Sequence, residues 1–482
     1  MDKPFYGSSD PIAAFATPLG ESALAVIRTS GADVVELLSR VFSRPEKLRE
    51  AVGNTVIHGW IVLPAHSPVR QKRLDETLVS VYRGPRSYTG EDGADISCHG
   101  GIAAARAVMD ALKGSGFREA LPGEFTFRAF MNGKLDLTRA ESVMEIVSAK
   151  TERSREHAAG RLSGVLEQEI RAISALLVDA LAAVELYLDY SEDEADSAGE
   201  KNGSVVTDEA AGRLPARRQA EEGRERLQAL AASYGRERLY AGGALVVIAG
   251  RPNAGKSSLF NGLVKEERSI VTDIPGTTRD WIEGWISIEG IPIRLVDTAG
   301  LHNSENPVEL LGMERSRDLL QQADLVLYLI DGNRGITGED RDFLEFHSGA
   351  MVVWNKADIA PLPRETETGV KPVPISARTG AGMADLTGMV ASALEAAIGG
   401  PGKMPDGRGI SPTGIGTARQ KELADTALAA VEEALSLADR GEPLDLIAPR
   451  LREGVAALGE ITGEVSTADI LEAMFSRFCV GK

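Results

Sequence analysis

The sequence predicts a multidomain chain of mixed α/β and α class: an N-terminal α+β domain, a helical domain in two separated parts, and a phosphate-loop α/β domain inserted between them. Three observations carry this. At roughly 150 residues per domain, a chain of 482 residues holds about three domains, each large enough to bury its own core. Apolar residues recur at helical spacing on both sides of a stretch that instead alternates short aliphatic runs with longer segments. A glycine-rich phosphate-loop pattern directly follows the first of those runs.

The elements follow in order. Residues 56–63 and 77–82 are rich in β-branched and aromatic side chains and read as strands, and the Ala-rich residues 101–112 read as a helix, which makes residues 1–132 an α+β domain. From about residue 135 to 190 apolar positions fall at i, i+3 and i+4 with few breakers, the signature of long amphipathic helices, and residues 133–240 are expected to form the first part of a helical domain. Residues 191–209 interrupt this with seven acids against one lysine and read as a solvated loop. Within 241–398, the runs 244–249, 293–296, 325–330 and 351–354 read as strands of a mostly parallel sheet covered on both faces. Residues 399–416 form a Gly/Pro-rich linker, after which helical periodicity returns to residue 482. One helical domain interrupted by an insert accounts for this order, because the termini of compact domains often lie close together.

Composition bounds the function. The formal charge is −18 and 43% of residues are hydrophobic, as expected of a soluble globular protein. Cys98 and Cys479 form no framework and the histidines show no ligand spacing, which points to a reducing compartment without structural zinc. The longest apolar stretch, 172–190, carries Asp179, Glu185 and Asp189, so no membrane span is expected. With no basic, then apolar leader at the start, the expected location is the cytoplasm. An acidic total also disfavours broad adhesion to nucleic acid, so an RNA partner needs separate grounds.

Those grounds lie in the motifs. In Gly250-Arg-Pro-Asn253-Ala254-Gly255-Lys256-Ser257-Ser258, backbone N–H groups can surround phosphate oxygens, Lys256 can reach the β and γ phosphates, and Ser257 can ligate Mg²⁺. Asp297-Thr298-Ala299-Gly300 supplies a carboxylate on the metal side and a backbone donor for the γ-phosphate. The carboxylate of Asn355-Lys356-Ala357-Asp358 can accept from both donors on the guanine edge, where adenine offers an acceptor instead. Ser376-Ala377-Arg378 adds a backbone donor for the guanine carbonyl, so the four pieces together specify GTP. Leu301 stands where Ras-like enzymes place the water-orienting glutamine, so the attacking water needs Glu305, Glu309 or a partner protein. No arginine finger is identifiable. Asn253 and the segment Thr272-Asp273-Ile274-Pro275-Gly276-Thr277-Thr278-Arg-Asp280 can hold a monovalent cation in its place, with Thr278 as the second Mg²⁺ contact.

These motifs, with Asp-Thr-Ala-Gly-Leu301 and the terminal Phe478-Cys479-Val480-Gly481-Lys482, resemble the tRNA modification GTPase family called MnmE or TrmE. N-terminal phrases match as well: Ala16-Thr-Pro, Ile27-Arg28, Ser87 to Asp92, His99-Gly-Gly101, Pro122-Gly-Glu-Phe125 and Lys134-Leu-Asp-Leu137. The resemblance implies an N-terminal tetrahydrofolate-binding domain that also makes a homodimer, a discontinuous helical domain, and a G domain activated by K⁺-dependent dimerisation. It implies a flavin-dependent partner of the MnmG/GidA type and a tRNA substrate. Together they would add an aminomethyl or carboxymethylaminomethyl group to C5 of the wobble uridine, with 5,10-methylene- or 5-formyl-tetrahydrofolate as the one-carbon cofactor.

By position, Asn253, Thr272, Ile274 and Thr277 would surround K⁺, Ser257 and Thr278 would hold Mg²⁺, and Glu309 would orient the hydrolytic water. Arg28, Asp95, Lys134 and Lys482 would contact folate, and Cys479 would act in the modification chemistry. Asp95 stands where a glutamate is commoner in the family, and His302 where arginine is. The alternative, a GTP-dependent ribosome or RNP assembly factor without modification chemistry, is separated from this reading by the terminal Cys-x-Gly-Lys.

Overall fold

The computed structural model describes residues 10–63, 72–197, 214, 216–266, 282–297, 318–362, 371–397, 414–465 and 468–481. It divides into two compact units, residues 1–144 with 456–482, and residues 145–455.

In the first unit six strands form one sheet in the order β3-β4-β5-β2-β1-β6. These are β1 (Ile12–Phe15), β2 (Ser22–Ser30), β3 (Thr55–Leu63), β4 (Lys72–Tyr82), β5 (Gly93–Gly100) and β6 (Arg118–Glu119). All pairings are antiparallel except β1 with β6. Alternate residues face inward, so Ile57, Ile61, Val79, Val81 and Ile96 meet Val108, Met109 and Leu112 of helix Ile102–Ser115. Strand β5 escapes a composition-based reading because Ile96 is its one strong β-former, and in β2 Val26, Ile27 and Thr29 stand among Ala, Ser and Leu. The ladders on both sides supply what local preference lacks.

The end of the chain closes this unit. Leu471 and Phe475 of helix Ala468–Phe475 pack with Phe127, Leu137 and Phe478, and the Phe127 and Phe475 rings meet edge to face at 5.4 Å. The backbone N–H of Gly123 donates to the Cys479 carbonyl at 3.3 Å. The Pro122-Gly-Glu-Phe phrase thus seats the C-terminal segment. Its Glu124, fully buried, accepts from Arg118, Arg128 and the Leu121 N–H, which fixes the start of helix Glu124–Met131.

In the second unit a sheet of order β12-β11-β10-β7-β9-β8 is built from β7 (Ala244–Gly250), β8 (Ile282–Ile288), β9 (Ile291–Asp297), β10 (Leu325–Asp331), β11 (Met351–Asn355) and β12 (Val373–Pro374). Only the edge pair β8 and β9 is antiparallel. Leu325, Leu327 and Leu329 enter one core with Leu259, Leu263 and Leu386, while Val326, Tyr328 and Ile330 enter the other with Val352 and Trp354. A strand covered on both faces reads as the continuous apolar run seen in the sequence.

Helices Glu152–Leu162, Val165–Ser197, Arg217–Gly242 and Ala418–Asp439 form the helical part of this unit. Residues 191–197, expected to be loop, continue the helix that begins at Val165. The expectation weighed local acidity, whereas a helix already nucleated over many residues propagates at little cost per added residue. The remainder of that acidic stretch lies outside the described residues.

Candidate functional site

β7 ends at Gly250, and the next residues turn back on themselves before helix Lys256–Glu266 begins. Asn253 and Gly255 sit at positive φ, 66° and 100°. A Cβ on Gly255 would collide with the Asn355 amide, so only glycine fits there. Lys256 is 6% exposed and its Nζ donates to the Gly250 and Arg251 carbonyls at 2.8 and 3.1 Å. Burial pulls its pKa below the usual lysine value, against the pull of nearby Asp297. The ammonium is thereby held over the loop, at the positive end of a helix, where phosphate charge belongs.

The Ser257 hydroxyl donates to Asp297 Oδ2 at 2.8 Å. Asp297 is fully buried at the end of β9, one strand away from β7. Ser258 follows, exposed on the same helix. Hydroxyl and carboxylate converging beside a phosphate loop are the hard oxygen donors that Mg²⁺ selects, so these residues fit that ion.

The base-side motif is tied to the loop by one side chain. Asn355, 3% exposed, donates from Nδ2 to the Ala254 carbonyl at 2.7 Å, and its Oδ1 accepts from the Lys356 and Ala377 N–H groups at 2.8 and 3.0 Å. Lys356 lies along the loop, its Nζ 2.7 Å from Asp331 and 3.4 Å from the Asn253 carbonyl. Asp358 pairs with Arg378 at 2.6 Å, and the Ser376 hydroxyl and that guanidinium hold its carboxyl below the usual carboxylate range. The structure therefore brings Asn253 to Ser258, Asp297, Asn355 to Asp358 and Ser376 to Arg378 around one sheet end. Asp331 escaped sequence reading, although an Asp-Gly pair at the end of an apolar strand was its signal. Residues 272–278, Thr298, Ala299, Gly300, Leu301, Glu305 and Glu309 lie outside the described residues, as does Lys482.

In the first unit Arg28 on β2 faces Asp95 on β5 in direct register, with two hydrogen bonds of 3.0 and 3.2 Å. They border a cavity of about 220 Å³, also lined by Tyr82, Tyr88 and Phe125. The Arg28 guanidinium stands 5.9 Å from the centre of the Tyr88 ring. Tyr88 hydrogen-bonds Thr126, and burial raises its phenol pKa. The loop from Arg83 to Asp92 is fixed over this cavity by Asp92 to Arg83, by Glu91 to Arg128, and by Lys134, whose Nζ donates to the Pro85 carbonyl at 2.9 Å. Cys479 is exposed. The aromatic lining escaped sequence reading because its members come from three separate segments.

A mostly parallel sheet with a phosphate loop, a buried carboxylate beside it and a guanine-type motif at one end defines the class: a P-loop GTPase. A family model for the MnmE helical domain matches residues 137–479, and one for the GTP-binding protein TrmE N-terminus matches residues 11–134. The chain belongs to the MnmE family of tRNA modification GTPases, GTP-hydrolysing enzymes of tRNA modification. The tRNA modification GTPase MnmE of Treponema denticola is 41% identical, with 99% of each chain covered. That of Carboxydothermus hydrogenoformans is 40% identical over 98% of this chain and 99% of its own. Among solved structures, the G domain of the T. maritima FeoB iron transporter is 28% identical, covering 31% of this chain and 98% of that one at a TM-score of 0.25.

Proposed function

We propose that GTP hydrolysis by this chain drives a one-carbon transfer to tRNA. With a flavin-dependent partner of the MnmG/GidA type, the chain would place an aminomethyl-class group on C5 of the wobble uridine. Residues 1–132 would bind folate and make the homodimer, 133–240 with 399–482 would form the helical domain, and 241–398 the G domain. The cytoplasm is the proposed location.

The observation that supports the folate assignment is the Arg28–Asp95 pair at the rim of an aromatic cavity of about 220 Å³. That volume lies below the roughly 300 Å³ at which drug-sized pockets begin, so it suits a pterin bicycle with the rest of the molecule outside. Asp95, though paired, keeps oxygen lone pairs for the donors of an aminopyrimidinone edge, and Tyr82, Tyr88 and Phe125 offer ring faces. Lys134 and Lys482 would meet the acidic tail. When bound, tetrahydrofolate supplies the carbon unit. Cys479, exposed beside Gly123, would act in the same chemistry.

For hydrolysis, Lys256 and the loop N–H groups would hold the phosphates, Asn253 to Ser258 and residues 272–278 would enclose them, and Thr298, Ala299 and Gly300 would sense the γ-phosphate. Ser257 and Thr278 would hold Mg²⁺; Asn253, Thr272, Ile274 and Thr277 would hold K⁺. Glu309 would orient the water, and Asn355, Lys356, Asp358, Ser376, Ala377 and Arg378 would read guanine. The deciding experiment is mass analysis of wobble nucleosides in tRNA from cells lacking the gene, complemented with the native chain or Arg28→Ala. Loss of the modified uridine, restored only by the native chain, is expected; unchanged uridine modification in the deleted cells overturns the proposal.

A further inference from the structure

The two strands that carry the phosphate loop and the metal-side carboxylate share one support at their opposite ends. β9 reaches Asp297 from the turn at Gly290, roughly 20 Å away at the rise of a strand. At that turn the Gly290 carbonyl accepts from the Thr151 hydroxyl at 2.8 Å. Gly290 sits at φ +81°, a conformation that favours glycine, and the Arg153 side chain lies against it, its Cδ 2.6 Å from where a Cβ would stand. β7 is entered from helix Arg217–Gly242, and near the end of that helix the Tyr240 carbonyl accepts from the Ser154 hydroxyl at 2.6 Å. Thr151 is also the N-cap of helix Glu152–Leu162, accepting from the Ser154 N–H at 3.1 Å. A single helix start therefore grips the roots of both strands.

The grip is anchored. One helical turn on, His157 stacks on Tyr240 at 4.5 Å and bonds Glu237 at 2.8 Å, and the same carboxylate oxygen takes Arg161 at 2.6 Å. Glu237 and Arg161 are 0% and 1% exposed. Buried, paired charges of this kind yield little to displacement, because breaking one strands the other in a dry site. β9 pairs with β7 on one side and with the edge strand β8 on the other.

We propose that Thr151 and Ser154 are positioning residues for GTP hydrolysis. By fixing β7 and β9 relative to each other at their far ends, they set the approach of Asp297 to Ser257. The inference rests on the assignment of those two residues to the metal side of the nucleotide. Loss of one clamp lets β9 shift along β7 without opening the phosphate loop, and displacements under an ångström at reacting groups cost rate far more than binding.

The test uses the full chain. Thr151→Val and Ser154→Ala are each expected to lower kcat for GTP about tenfold, with KM and the affinity for a fluorescent GDP analogue changed less than about twofold. Thr151→Ser, which keeps both cap and donor, is expected to restore kcat. Unchanged kcat, a parallel loss of kcat and affinity, or a Thr151→Ser as impaired as Thr151→Val overturns the proposal. Should Thr151→Val fail to fold, Ser154→Ala decides on the same kcat and affinity readings, and an unchanged kcat in that variant overturns the proposal. Ser257→Ala tests the underlying assignment separately: undiminished Mg²⁺-dependent turnover in that variant sinks the metal-side reading itself.

Discussion

Asp358, proposed to read guanine, shows how a carboxylate is kept charged. Ser376 and Arg378 hold its pKa below the usual value of about 3.9, so the charged form persists well below neutrality. A group depressed in this way loses its charge only as pH falls through the lowered value. The guanine-dependent part of nucleotide affinity should therefore stay flat from about pH 8 down to about pH 5, as titration with a fluorescent GDP analogue can check. Asp358→Asn should move preference from GTP toward xanthosine triphosphate; an unchanged ratio of the two would count against base recognition here. The cysteines divide in the same local terms. Burial, with Asp75 nearby, pushes the Cys98 thiol up to about 11, whereas Cys479 is exposed. Iodoacetamide at about pH 8 should label Cys479 and spare Cys98, read by peptide mass.

Among elements, the ends of strands do the connecting. Asn355 closes β11 by joining the phosphate loop to the Ala377 backbone, and Asn355→Ala would leave Ala254 and Ala377 without their buried partner. The expected penalty is about 1–3 kcal/mol, or roughly fivefold to 150-fold in nucleotide affinity. The helix Ala468–Phe475 offers the matching test in the first unit. Phe475→Ala removes a fully buried ring and should destabilise that unit by about 3–5 kcal/mol in urea unfolding, with GTP affinity nearly unchanged. Runs that are buried on both faces, such as Leu325 to Ile330, were legible as strands, while β2, β5 and β8 were not. In β5 only Ile96 is a strong strand former, so the ladders with β2 and β4 decide its state.

For the whole molecule, the hydrolytic machinery makes two demands. If K⁺ replaces an arginine finger, substituting Na⁺ should slow GTP turnover sharply, and cation-independent turnover would end that idea. Glu309→Ala should lower kcat more than GTP affinity; unimpaired turnover would redirect the search to Glu305 or a partner. By itself the sequence determined the class of chemistry. The phosphate-loop motif and the motifs proposed for metal and guanine are each a few contiguous residues whose proposed roles follow from local backbone shape and side-chain type. Only the tertiary structure decided what touches what across long separations: Asn355 against Ala254, Arg28 against Asp95, the last helix against Phe127, and Thr151 against Gly290. Such contacts depend on strand register and helix packing, which are set by the whole pattern of burial rather than by any neighbouring residue.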